Sequence, residues 1–205
     1  MMHLDRLVLG GLLVACAAKT PPTRYYALAA PPAPRTDDRG TLVIGIDPFE
    51  TDSAYDEERI VYRLSPYRFD YYNYHRWSSP PGTMVARYLE RALEHSGRFG
   101  EVSRDASDAP LTLGGRLIAL EEVDRSPTRW VGRIVLELRL TETSSGEVLW
   151  SRQYEQLEPM PQQSPEGLAQ AISTALDRIS ADAVPTMARV ALAARESAQQ
   201  ARRDH

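Results

Sequence analysis

A single cysteine, Cys16, occurs in the 205 residues of this chain. The sequence therefore forms no internal disulfide and assembles no multi-cysteine metal site. No apolar run approaches the roughly 20 residues that a permanent membrane-spanning helix needs. There is no Gly-x-Ser-x-Gly elbow and no Gly-x-x-x-x-Gly-Lys loop, which removes the commonest hydrolase and nucleotide-binding signatures. Positive charge is not in excess: the net charge is -4, the opposite of the basic field of a phosphate-backbone binder, so nucleic acid is not an expected partner. No segment repeats at a solenoid period. The acidic stretch "DPFETDSAYDEE" lacks the Asp-x-Asp-x-Asp-Gly order of a calcium loop and reads as a solvated surface, so no metal or cofactor is expected.

What is present begins with "MMHLDRLVLGGLLVACAAK". A head containing Arg6 and an apolar run from Leu7 to Ala15 are the n-region and h-region of a signal peptide. Leu13-Val14-Ala15-Cys16 looks like a bacterial lipobox, in which the cysteine is acylated and becomes the mature N-terminus. The alternative is an ordinary signal peptide with a chance cysteine. On the lipobox reading, residues 1–15 are a leader and Cys16 carries palmitate-type acyl chains, several of which together hold a membrane stably. Alanines rather than aspartate at 17 and 18 favour delivery to the outer membrane, on its periplasmic face.

Residues 16–40 read as a tether, with Pro21, Pro22, Pro31, Pro32 and Pro34 favouring extended chain. Within it "RYYAL", Arg24 to Leu28, is β-prone and suited to docking as an edge strand. Residues 41–184 read as one periplasmic α+β domain. "TLVIGI" and "RIVYRLS" are strands, and Gly82 to His95 is an amphipathic helix with a serine cap in "SSPP" and a stop at Gly97. "FGEV", Leu111 to Val123, "RWVGRIVLELRLTET" and "EVLWSRQYEQ" follow as strands, the last two joined by a turn at Ser144–Gly146. Ser164 and Pro165 open a second helix, and Pro185 opens a separate helical tail over residues 185–205. The expected fold is a mainly antiparallel sheet with two amphipathic helices on one face.

The densest chemistry lies in "YRFDYYNYHRW", Tyr67 to Trp77. Tyr67, Phe69 and Tyr71 alternate with Arg68, Asp70 and Tyr72, giving an edge strand that continues past Pro66 and lays an aromatic face on the first helix. Trp77 then plugs the turn into that helix. Tyr72, Tyr74 and His75 are candidates for an exposed partner-binding surface, because tyrosine beside arginine is typical of interface anchors. Of the histidines, His3 lies in the leader and His205 at the terminus. His95 complements a helix end, and His75 among tyrosines suits packing or hydrogen bonding. Glu121, Glu122 and Asp124 could supply carboxylates, but adjacent strand residues point to opposite faces. No catalytic residue is assigned.

The order of these motifs resembles the ABC-type transport auxiliary lipoproteins, the group that includes paraquat-inducible protein C. The likeness rests on the lipobox, "RYYAL", "YDEERIVYR", "HRWSSPPGTMVARYLERAL", "FGEV" and "TETSSGEVLW". It departs where the family carries Trp-Ala-Glu-Pro and this chain has Trp77-Ser78-Ser79-Pro80. The resemblance implies a non-enzymatic, outer-membrane-anchored subunit of an intermembrane lipid transport system. Its implied partners are a mammalian-cell-entry-type periplasmic protein and the cognate ABC transporter. Self-association is left open. Two rivals remain: a lipoprotein activator of another envelope machine such as cell-wall synthesis, and a periplasmic hydrolase.

Overall fold

The structure, a computed structural model, describes residues 20–29, 40–103, 105–126 and 128–203. Cys16 and the leader lie outside the described residues. Nine strands are described: β1 (Arg24–Tyr26), β2 (Leu42–Ile46), β3 (Glu50–Thr51), β4 (Arg59–Ser65), β5 (Arg68–Trp77), β6 (Phe99–Ser103), β7 (Leu111–Ser126), β8 (Arg129–Glu142) and β9 (Val148–Pro159). Helix α1 (Pro81–His95) falls between β5 and β6, and α2 (Pro165–Arg203) closes the chain.

The sixteen-residue β7 is the spine of the sheet. One edge pairs antiparallel with β8 over nearly its whole length, and β8 pairs in turn with β9. The other edge is shared by β2, β3 and β4, each parallel to β7. β5 returns antiparallel on β4, and β1 and β6 add parallel outer strands. The long ladders are antiparallel, as expected, but the sheet is mixed and not purely antiparallel. The hairpins follow from local turns, as expected. The parallel joins depend on crossovers with no local signature, which is why the sequence did not reveal them.

Both helices lie on one face, as the period-two pattern of β8 requires. Ile134, Leu136, Leu138 and Leu140 are fully buried, with Leu113, Leu117 and Leu120 of β7 beside them. Val85, Leu89 and Leu93 of α1 and Leu168, Ile172, Leu176 and Ile179 of α2 close the layer. Gly132 in β8 lets α2 approach: a Cβ there would stand 2.9 Å from the Ala171 methyl. The opposite face carries a smaller cluster of Tyr55, Val61, Ala119 and Val135.

Three local expectations are corrected. The two-residue turn Pro66-Tyr67 separates β4 from β5, so the strand starts at Arg68 rather than running through the proline. Phe69 and Tyr71 sit opposite Arg63 and Val61 and face away from the helices, so they do not cover α1. Helix α1 begins at Pro81 after Pro80 with no side-chain cap, because Ser78 turns instead to the Met84 sulfur and donates its N–H to the Tyr26 carbonyl. Gly97 does end the turn after α1, at φ 65°.

Pro185 does not start a new helix; α2 continues through it for 39 residues. An internal proline costs about 3 kcal/mol. Val184, Met187, Ala188 and Ala191 are all buried on either side of it. Burying one large side chain is worth about 1.5–3 kcal/mol, so together they outweigh the proline.

Candidate functional site

The Tyr67–Trp77 stretch divides between two faces of β5. On the helix side, Trp77 is completely buried. Tyr72 is half-buried, and its hydroxyl donates to the Glu122 carboxylate at 3.0 Å. Its ring meets Tyr62 edge-on at 5.0 Å and His75 at 5.6 Å between centroids. His75 Nδ1 lies 2.8 Å from the Tyr26 hydroxyl. These rings form a ladder across β4, β5 and β1, and the ladder ties the N-terminal strand to the domain. Ala29 N–H donates to Ser173 Oγ of α2 at 3.1 Å, a second tie for the same segment.

On the outer side the edge is open. Tyr25 is 62% exposed and Tyr74 38%. Tyr25 pairs with Arg76, which by strand alternation shares the face of Tyr74. The Arg59 guanidinium lies 3.8 Å above the Tyr71 ring on the same side. Of the three residues proposed as a contact surface, Tyr74 is exposed, while Tyr72 and His75 are half-buried and engaged with Glu122 and Tyr26. The expected exposure of Tyr72 is thus corrected: the irregular register between β4 and β5 turns its ring back onto the core margin.

Beneath the ladder, β7 carries two buried carboxylates on opposite faces, as its pleat dictates. Glu121 accepts from Tyr55 at 2.7 Å, Arg63 at 2.9 Å and Arg133 at 2.8 Å. Burial, then the hydrogen bond to Glu121, pushes the Tyr55 phenol up to about 12. The Glu121 bond holds Arg63 firmly protonated. This cluster floors a polar cleft of about 680 Å³ whose rim is Glu50, Asp52 and Arg116. The arginines there are matched by carboxylates, so the cleft carries no surplus charge for a ligand. Glu122 faces the helices, where burial raises it to about 7; Asp124 adds to the rise and the Tyr72 hydroxyl opposes it. Burial and the same carboxylate push the Tyr72 phenol upward.

A family model described as "ABC-type transport auxiliary lipoprotein component" matches residues 26–184, from the end of β1 to the midpoint of α2. The chain belongs to this family. No curated protein matches it in sequence. Among solved structures it is similar to protein XCC0632 from Xanthomonas campestris, at 20% identity and TM-score 0.74. That match covers 84% of this chain and 99% of the other. An uncharacterized protein matches at 15% identity and TM-score 0.66, over 82% of this chain and 99% of that one. These likenesses show the fold.

In this auxiliary lipoprotein family member, the matched region begins at Tyr26, the residue that bonds His75. The family is a transport auxiliary family and not a known enzyme family. Among the described residues no three His, Cys, Asp or Glu side chains group as metal ligands, and no helix is long and apolar enough to cross a membrane. Sequence reasoning missed the Tyr26–His75 bond, the role of Tyr25 on the outer edge, and Tyr55 at the floor of the cleft. Tyr55 was hidden in an acidic loop that folds into β3 and a 3-10 turn. The one available signal was "LEEV": two carboxylates inside an apolar strand must each find buried partners.

Proposed function

We propose that this chain is a lipid-anchored auxiliary subunit of an ABC-type intermembrane lipid transport system. Cys16 holds it to the periplasmic face of the outer membrane, and it acts by binding rather than catalysis. The partner is a mammalian-cell-entry-type periplasmic protein that connects to the transporter. The observation that carries this reading is the β1–β5 edge, where exposed Tyr25 and Tyr74 flank Arg76 on a strand supplied by the anchor tether. Exposed aromatics beside arginine are the usual hot-spot chemistry of an interface. Tyr72 and His75 support the surface from behind by fixing β1 against β5.

Two measurements test this. A Cys16→Ser chain should lose acylation and move to the soluble fraction; an unprocessed chain that stays with membranes removes the lipoprotein reading. Tyr74→Ala should weaken capture of the mammalian-cell-entry-type protein at least tenfold, the effect of losing about 2 kcal/mol at an anchor. Capture of a cell-wall synthase instead, or turnover of model esters by the purified protein, would favour one of the two rivals.

A further inference from the structure

One end of the sheet combines features that the binding reading leaves unused. The β4–β5 turn carries Tyr67, which is 97% exposed, with Leu64 and Phe69 each 40% exposed beside it. Arg68 is exposed at the same turn. Arg63 pairs in register with Val123, so the turn joining β7 to β8 reaches the same end and brings exposed Arg125 and Arg129. The carboxylates at this end are Asp70, which accepts the Tyr71 N–H, Asp124 beside Glu122, and Glu166 at the start of α2. The far end carries Asp105, Asp108, Glu142 and Glu147, together with Arg98 before β6, Arg139 opposite Gly114 and Arg195 bonded to Thr41.

The N-terminal end of β1 points toward this basic, aromatic end. β1 runs parallel to β5 with Arg24 opposite His75, so a chain running into β1 along the strand comes from the side where β5 begins. Arg76 pairs with Arg59 and Arg68 with Ser65, so the turn lies within six steps of β4, roughly 20 Å at about 3.3 Å per residue, of the level where β1 docks. From Cys16 to Arg24 is eight residues, which span no more than about 28 Å when fully extended. A bilayer holding Cys16 is therefore within about one tether length of Arg24, and the β4–β5 turn projects a large part of that distance toward the side from which β1 enters.

We infer that this turn is a second membrane contact: Tyr67, Phe69 and Leu64 enter the interface of the bilayer that holds the anchor, with Arg68, Arg125 and Arg129 against anionic lipid headgroups. Tyrosine suits that depth because its ring is apolar and its hydroxyl stays wet. Arginine near an anionic surface adds attraction that salt screens. The domain is then held by two points and cannot swivel on its tether, which turns the β1–β5 edge sideways toward a partner. The inference rests on the proposed acylation of Cys16.

The test uses the full acylated chain bound to vesicles of mixed zwitterionic and anionic phospholipid. Once Cys16 is acylated, a Tyr67→Cys chain has one free thiol, which takes an environment-sensitive fluorophore. Ser144→Cys, in the turn between β8 and β9, is the matched control at the far end. Emission from position 67 should shift to the blue and be quenched by a lipid-borne quencher, while position 144 stays with the aqueous quencher. Replacing Arg68 and Arg125 by glutamine in a Cys16→Ser chain should weaken its residual vesicle binding by about fivefold for each arginine. An acylated, vesicle-bound chain whose position 67 stays in water overturns the inference and leaves the anchor intact. A shift at 67 only after the periplasmic partner is added also overturns it, and assigns the turn to protein contact. A chain that mass spectrometry shows to be unacylated overturns the inference together with the anchor.

Discussion

Replacing Glu122 by glutamine should stabilise this protein at neutral and alkaline pH and leave it nearly unchanged at pH 5. Glu122 is 1% exposed on the helix side of β7, between the Tyr72 hydroxyl and Asp124. Burial raises its carboxyl from an ordinary 4.5 to about 7. Because the folded value is raised, the native state binds a proton more tightly than the unfolded chain. Stability therefore falls as pH climbs from about 4.5 to about 7 and is lowest above that range. The difference between those values corresponds to about 3 kcal/mol, at 1.36 kcal/mol for each tenfold change in proton affinity. Glutamine keeps the shape of the protonated form and still accepts from Tyr72, so it avoids the penalty of a buried charge. In a domain of this size about 3 kcal/mol corresponds to roughly 6–12 °C in melting temperature. Urea or thermal unfolding of both chains at pH 5 and pH 8 measures it, and the difference between them cancels other titrating groups. Equal pH dependence in wild type and variant would refute the reasoning, since Glu122 would then be charged in the fold at both values.

Three further outcomes follow from the packing. Trp77→Ala should destabilise by about 3–5 kcal/mol, because the ring is fully buried between sheet and helix; thermal melts report it directly. Tyr74→Ala should leave the melting temperature within a degree or two, as a surface change of about 0.5 kcal/mol or less, whereas Tyr72→Phe should lower it by removing the bond to Glu122. Pro185→Ala should raise stability by about 1–3 kcal/mol, since α2 runs straight through the proline and alanine restores the missing backbone bond.

Much of this architecture was legible from periodicity. The β8 alternation, the α1 stripe from Met84 to Leu93 and the α2 start at Ser164-Pro165 are local patterns, and Ser164 Oγ does accept from Gly167 N–H at 3.0 Å. "RYYAL" also docked at the sheet edge, although as a parallel strand. The failures share a physical cause, namely that the deciding contact is distant in sequence. The parallel joins of β2, β3 and β4 to β7 leave no turn signature. Pro185 reads as a break until Met187 and Ala191 are seen in the core. Tyr72 looks like its neighbour Tyr74 in sequence, yet Glu122, fifty residues away, draws it inward. At the candidate site, the exposed face of Tyr74 followed from composition. Its sharing a face with Tyr25 required the tether to fold back onto β5.

The β1–β5 edge is the surface proposed to capture a transporter's periplasmic protein. A photo-crosslinking residue at Tyr74 in living cells, followed by mass spectrometry of the adduct, tests that claim most directly. The predicted result is a crosslink to the mammalian-cell-entry-type protein, absent when the same residue replaces Leu157 on β9, where 37% exposure gives an equally accessible control. A crosslink from Tyr74 to a cell-wall synthase, or capture of the transporter protein from Leu157 and not from Tyr74, would contradict it.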